Sequence, residues 1–159
     1  MGSGAGKVQL NESELQPLRC VQDELAPPQE WRFTELQMSA VVLLIDDDRR
    51  IRNSLGRLLR VLSYDVVEAA DWDAALELAA EHRPDVVVTD LHMPEHSGVD
   101  IARLLRSHPE FGDTPIIALT ATPPRDDETI SLFHTVLEKP CAAEDLKRAL
   151  TDALQSRKH

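Results

Sequence analysis

Basic residues are in the minority: 17 lysines and arginines face 28 aspartates and glutamates, for a formal net charge of -11. Nucleic acid and anionic bilayers are bound through concentrated positive surface, so neither is expected as a partner. Cysteine is scarce as well. Cys20 and Cys141 are the only two, spaced for neither a zinc site nor a disulfide framework, and two reduced thiols suit a cytoplasmic protein. No apolar run approaches the roughly 20 residues that span a bilayer. The N-terminus also lacks the charged region, apolar stretch and small-residue cleavage site of a signal peptide.

The first 39 residues carry several near-motifs that fail on inspection. Gly2 to Lys7 imitates a phosphate loop, but the spacing is one residue short and Val8 stands where Ser or Thr is required. Gly6 likewise occupies the position where N-myristoylation calls for a hydroxyl. Asn11-Glu12-Ser13 matches a glycosylation sequon, yet Asn11 capping a helix with Glu14 reaching back is the more natural reading. Leu15, Leu18, Val21 and Leu25 follow at helical spacing, and then Pro27-Pro28 and Trp31-Arg32-Phe33. Residues 1–39 are therefore read as an N-terminal extension or linker, partly flexible. Its helix is a candidate contact with the main domain or with a second copy in a homodimer; the plainer alternative is a mobile leader.

From Ala40 the pattern changes, and with 42% hydrophobic residues the chain can bury a core. Val41-Val42-Leu43-Leu44-Ile45 is a continuous, β-branched run of the kind that forms a strand buried on both faces. Ile51, Leu55, Leu58, Leu59 and Leu62 mark one face of a helix. Tyr64 to Val67 reads as a second strand. Asp71 is placed to cap a helix whose apolar side includes Ala75, Leu76 and Ala79. Val86 to Thr89 is a third strand, 97–107 a third helix with Ile101, Leu104 and Leu105 inward, and Ile116 to Leu119 a fourth strand. A short helix, a weak strand at Thr135 to Glu138 and a last helix through Leu146, Ala149, Leu150, Ala153 and Leu154 complete a domain expected at 40–155, with 156–159 as a tail. Strand and helix alternate five times. Parallel neighbours need crossovers, so this predicts an α/β fold, a doubly wound five-stranded parallel sheet with helices on both faces.

Such sheets bind ligands beyond the carboxyl ends of their strands. The first strand runs into Asp46-Asp47-Asp48, the third into Asp90, the fourth into Thr120 and the fifth into Lys139. Taken singly each has a duller reading: an aspartate after a strand is commonly a helix cap, which is the expectation for Asp48, and a lone lysine is usually solvated. Together they place several carboxylates, a hydroxyl and an ammonium in one pocket. Crowded carboxylates resist ionisation unless a cation intervenes, and an oxygen donor set with room for water and phosphate favours Mg2+. Asp46 and Asp47 are the expected metal holders. Asp90 can bind metal through one oxygen and attack phosphorus with the other, with Thr120 and Lys139 neutralising charge.

These segments resemble the receiver domains of two-component response regulators. The resemblance rests on Val42 to Asp48, on Val88-Thr89-Asp90-Leu91-His92-Met93-Pro94 with Ser97-Gly98, on Ala118 to Ala121 and on Glu138-Lys139-Pro140, in that order, and covers about residues 41–155. It implies a flavodoxin-like sheet of order 2-1-3-4-5. It further implies that Asp90 is the phosphoacceptor, charged by a phosphohistidine on a histidine kinase or histidine phosphotransfer protein. Asp46 and Asp47 are then the acidic pair around Mg2+, the backbone carbonyl of His92 a further ligand, Thr120 a hydrogen-bond donor to the phosphoryl group and Lys139 its ion-pair partner. The Lys139-Pro140 bond is expected to be cis, an isomer that proline makes accessible. His92 and Thr122 fall where family side chains tune dephosphorylation. A phosphoacceptor that can hydrolyse its own phosphate, rather than a turnover enzyme, is what this implies.

The departures concern output. The stretch between Thr120 and Lys139 is shorter than is usual in the family, Pro123-Pro124 delays and shortens the fourth helix, and Val136 stands where Tyr or Phe is common. The aromatic rotation that reports phosphorylation in many relatives is therefore expected to be absent or rerouted, with Phe133 a candidate substitute for the aromatic. Two further readings are a pseudo-receiver that acts as an interaction module without phosphate, and a receiver excised from a hybrid histidine kinase. A phosphatase of the haloacid-dehalogenase type would need Asp-x-Asp-Gly after the first strand, and Arg49 follows Asp48 instead.

Overall fold

A computed structural model of the chain describes residues 40–157. The helix expected between Leu15 and Leu25 lies outside the described residues. Within them the elements run β1 (Val41–Ile45), α1 (Arg49–Val61), β2 (Asp65–Ala69), α2 (Trp72–His82), β3 (Val86–Thr89), α3 (Gly98–Ser107), β4 (Ile116–Thr120), α4 (Asp127–Ile130), β5 (Thr135–Glu138) and α5 (Ala143–Arg157). All pairings are parallel and the sheet order is β2-β1-β3-β4-β5, the expected topology.

Successive side chains on a strand point to opposite faces, and the core divides accordingly. Val42, Leu44, Val86, Val88, Ile117 and Leu119 pack with Leu59 of α1 and with Leu146, Leu150 and Ala153 of α5. Leu43, Ile45, Val87, Ile116 and Ala118 pack on the other face with Ala75 and Ala79 of α2 and Ile101, Ala102 and Leu105 of α3. Each fully buried Leu or Ile contributes about 2 kcal/mol of apolar transfer free energy. The three central strands, apolar on both faces, therefore hold the layers together and fix where their carboxyl ends lie.

Three details correct the expectations. Tyr64 precedes β2: its N–H donates to Leu59 O, closing the turn after α1, and the ladder begins with Asp65 N–H donating to Ala40 O. The strand also runs two residues further, through Glu68 and Ala69. Leu76 is only half-buried and belongs to neither core cluster; Trp72, Ala74 and Leu78 pack beside Ala75 and Ala79 instead. Asp48 and Asp71 cap as expected, accepting from Arg50 and Ile51 and from Ala74 respectively.

Candidate functional site

The backbone ladder continues one residue past β1 and β3 and so sets the aspartates level. Asp46 N–H donates to Ala69 O at 3.2 Å and Asp90 N–H to Ile45 O at 3.1 Å. Asp46 is 1% exposed. Its Oδ1 accepts from Asp48 N–H at 2.9 Å, and Lys139 Nζ reaches its Oδ2 at 3.4 Å. Asp90 Oδ1 accepts from His92 N–H at 3.1 Å, and Asp90 Oδ2 from the same Lys139 Nζ at 3.2 Å. Asp47 is exposed, yet a carboxylate oxygen from each of Asp46, Asp47 and Asp90 lies within 4.8 Å of the others. One ammonium thus contacts two of three clustered carboxylates.

Burial pushes the Asp46 carboxyl above the ordinary carboxylate range. The Asp48 N–H and the Lys139 charge oppose that rise, and the neighbouring Asp90 charge adds to it. The site is therefore short of positive charge at its most buried carboxylate. A hard divalent cation fits these residues on two grounds: the donors are all oxygens, and they sit close enough to share one ion.

Thr120 and Lys139 arrive from the neighbouring strands. Lys139 N–H donates to Thr120 O at 2.9 Å, extending the β4–β5 ladder, and the Lys139-Pro140 peptide is cis. Thr120 is fully buried, and its hydroxyl exchanges hydrogen bonds with the Thr122 backbone, accepting from N at 3.3 Å and donating to O at 3.4 Å. Thr122 and His92 are exposed. Val136 sits opposite Ala118 in the ladder and packs, half-buried, against the same core cluster that holds buried Phe133.

The turn from Asp90 into α3 leaves no room at Gly98: a Cβ there would overlap the Asp90 carbonyl oxygen. Ser97 and Asp100 form a reciprocal capping box that starts α3 at this point. Three features were not foreseen from the sequence. Asp47 also lines a cleft of about 290 Å³ walled by Trp72, Met93 and Pro94, where the Trp72 and His96 rings pack at a tilt of 38° with centroids 4.5 Å apart. Arg52 donates to the Asp46 carbonyl at 2.7 Å. On the other side of the sheet, Arg106 donates to the carbonyls of Gly112, Thr114 and Leu132. The only sequence signal for the two arginines was a long cationic side chain next to an apolar helix face.

The fold and the pocket together define a doubly wound α/β domain with an acidic, lysine-bearing site at the strand ends. A family model described as response regulator receiver domain matches residues 42–151, and the chain belongs to that family. It is 40% identical over 112 residues to the response regulator MprA of Mycobacterium sp. (strain KMS), an alignment covering 69% of this chain and 48% of that protein. The chain thus spans about half the length of the curated relatives it matches. Among solved structures, a response regulator receiver domain protein from Clostridium thermocellum aligns at a TM-score of 0.69 and 30% identity, covering 75% of this chain and 97% of the other. The chemotaxis protein CheY4 of Vibrio cholerae aligns at 0.66 and 30% identity, covering 73% and 99%. The chain is accordingly a receiver domain of the two-component class with the flavodoxin-like sheet, and among the described residues no helix is long and apolar enough to cross a membrane.

Proposed function

We propose that Asp90 accepts a phosphoryl group from a phosphohistidine on a histidine kinase or phosphotransfer protein, in the cytoplasm, and that the resulting change of charge switches protein contacts. The observation that carries this is the convergence of Asp46, Asp47, Asp90 and Lys139 within one pocket. In the step, an Asp90 oxygen forms the new O–P bond as the N–P bond breaks; the bonding pair stays on the ring nitrogen, and a phosphohistidine protonated on its other ring nitrogen leaves as neutral imidazole. Asp46, Asp47 and Asp90, with the His92 carbonyl, would hold Mg2+, which supplies charge neutralisation for the phosphoryl oxygens. Lys139, already 3.2 Å from Asp90 Oδ2, pairs with the incoming charge. Thr120 exchanges its Thr122 contacts for a phosphoryl oxygen. Preorganised charge of this kind is most of what phosphoryl transfer asks of a protein. Exposed His92 and Thr122, whose main-chain amides donate to Asp90 and Thr120, would tune the lifetime of the phosphate. The product is the phosphorylated protein itself, not a released small molecule.

Intact-mass spectrometry after incubation with acetyl phosphate tests the reading. The expected result is a phosphoryl adduct that needs Mg2+ and is lost in Asp90→Asn. No adduct with acetyl phosphate or with a panel of phosphorylated kinases and phosphotransfer proteins would overturn it in favour of a phosphate-independent interaction module.

The output differs from relatives that rotate an aromatic residue in β5, because Val136 occupies that place and Phe133 is already buried in the core. Amide exchange with and without a phosphate mimic is expected to leave 130–138 unchanged; protection changing there would refute this.

A further inference from the structure

We infer that Arg52 and Glu68 are positioning residues for the metal-holding loop, acting through the main chain of Asp46. The inference rests on the reading of Asp46 as a metal holder. Both main-chain polar groups of Asp46 are held from the same direction. Its N–H donates to Ala69 O at 3.2 Å, and its carbonyl accepts from Arg52 Nη1 at 2.7 Å. Arg52 in turn has its Nε 3.9 Å from Oε2 of Glu68, the residue before Ala69. One end of β2 therefore bears on both main-chain groups of Asp46, directly through Ala69 and by way of Arg52 through Glu68. With the carboxylate Oδ1 already tied to Asp48 N–H, the remaining oxygen has little freedom except toward Lys139 and the other two carboxylates.

The helix is shaped to allow this. Arg52, Gly56 and Arg60 follow at four-residue intervals and share one face of α1. Gly56 is buried, and a Cβ there would overlap the Glu68 carboxylate. Arg60 Nη1 takes the second carboxylate oxygen, Oε1, at 2.9 Å. A plain surface ion pair contributes little and needs no cleared space beneath it. Here the Arg52 side chain is only 15% exposed, and its shortest contact is to the backbone of a site residue and not to Glu68. The arrangement matches the general finding that groups orienting a metal's ligands set its affinity.

The test compares the full chain with Arg52→Met, Arg52→Lys, Glu68→Gln and Arg60→Met. The last removes the shorter ion pair to Glu68 but makes no contact with Asp46. Calorimetric titration with Mg2+ measures affinity directly. Initial rates of phosphorylation by acetyl phosphate across Mg2+ concentrations separate the half-saturating concentration from the maximal rate. Arg52→Met is expected to weaken Mg2+ binding and raise the half-saturating concentration about tenfold, with the rate at saturating Mg2+ retained. Arg52→Lys, which can still reach one partner, and Glu68→Gln should fall between that variant and the wild type, and they carry the test if Arg52→Met does not fold. Arg60→Met should bind Mg2+ as the wild type does. Unchanged Mg2+ affinity in all the Arg52 and Glu68 variants, or an equal loss in Arg60→Met, would overturn the positioning role alone. A wild-type chain that binds no Mg2+ would overturn the metal reading and this role with it.

Discussion

The two sides of this site are held by opposite means. On the β1–β3 side, short side chains and backbone amides do the work: Asp48 N–H, His92 N–H and the capping box at Ser97 fix the carboxylates within a few residues of where they start. On the β4–β5 side the local structure is meagre. Helix α4 is one turn, Asp127–Ile130, after Pro123-Pro124, and a long side chain from elsewhere supplies the tie. Arg106, at the end of α3, reaches Leu132 O with Nε at 3.1 Å and Nη2 at 2.8 Å, and with Nη1 reaches Gly112 O at 2.9 Å and Thr114 O at 2.6 Å. The difference teaches that the acidic half is held chiefly by groups within six residues of its aspartates, Arg52 among them, whereas the segments leading into β4 and β5 share one tie that comes from α3.

Breaking that tie should have the largest effect. Burial works against the Arg106 charge, partly offset by nearby Asp113; the carbonyls it satisfies justify its place. Arg106→Met removes four hydrogen bonds and strands three carbonyl oxygens, one of them on buried Thr114. A loss of about 3 kcal/mol in denaturant unfolding is expected. A loss below about 1 kcal/mol would mean that water replaces the guanidinium there, and that the β4–β5 side has other support. The corresponding change on the acidic side is Gly98→Ala. A Cβ that overlaps the Asp90 carbonyl must push the turn away, at a cost of about 2 kcal/mol, and the displaced Asp90 should take phosphate from acetyl phosphate more slowly. Wild-type stability and phosphorylation in this variant would show that the turn yields elsewhere.

The same contrast decides what was legible in the sequence. The central strands could be read because burial on both faces demands unbroken apolar runs, as in Val86-Val87-Val88. Asp46, Asp47 and Asp90 could be read because they come within two residues of such a run, and Lys139 because it follows the weaker strand Thr135–Glu138, so the sheet order brings them together. The start of β2 was harder: hydrogen bonds in the turn before Asp65, not hydrophobicity, decide where the ladder begins. The arginine ties escaped altogether. Arg106 finds Leu132 across 26 positions and Arg52 finds a backbone carbonyl, and a carbonyl carries no residue-type signal. Glu68 gave a faint one, a carboxylate inside a strand that is otherwise apolar from Val66 to Ala69.

The smallest expected effect is also opposite in sign. Burial raises the Asp46 carboxyl above the ordinary range despite Lys139 and the Asp48 N–H. A carboxyl whose pKa is raised in the folded state favours the fold only at pH below its unfolded value, and that contribution is lost as pH rises through the folded value. At neutral pH, ionised Asp46 is thus a load on the metal-free fold. Asp46→Asn keeps an oxygen for the Asp48 N–H and removes the charge. Without Mg2+ at pH 7 this variant should melt slightly above the wild type, and the gap should close as the pH falls through the raised Asp46 value and the wild-type carboxyl is itself neutralised. Adding Mg2+ should reverse the order by stabilising only the wild type. A variant that melts below the wild type at neutral pH without metal would show that the Lys139 contact outweighs burial. Asp46 would then be held in the metal-free fold by the ammonium that follows β5, and the two halves would be joined by charge as well as by the ladder.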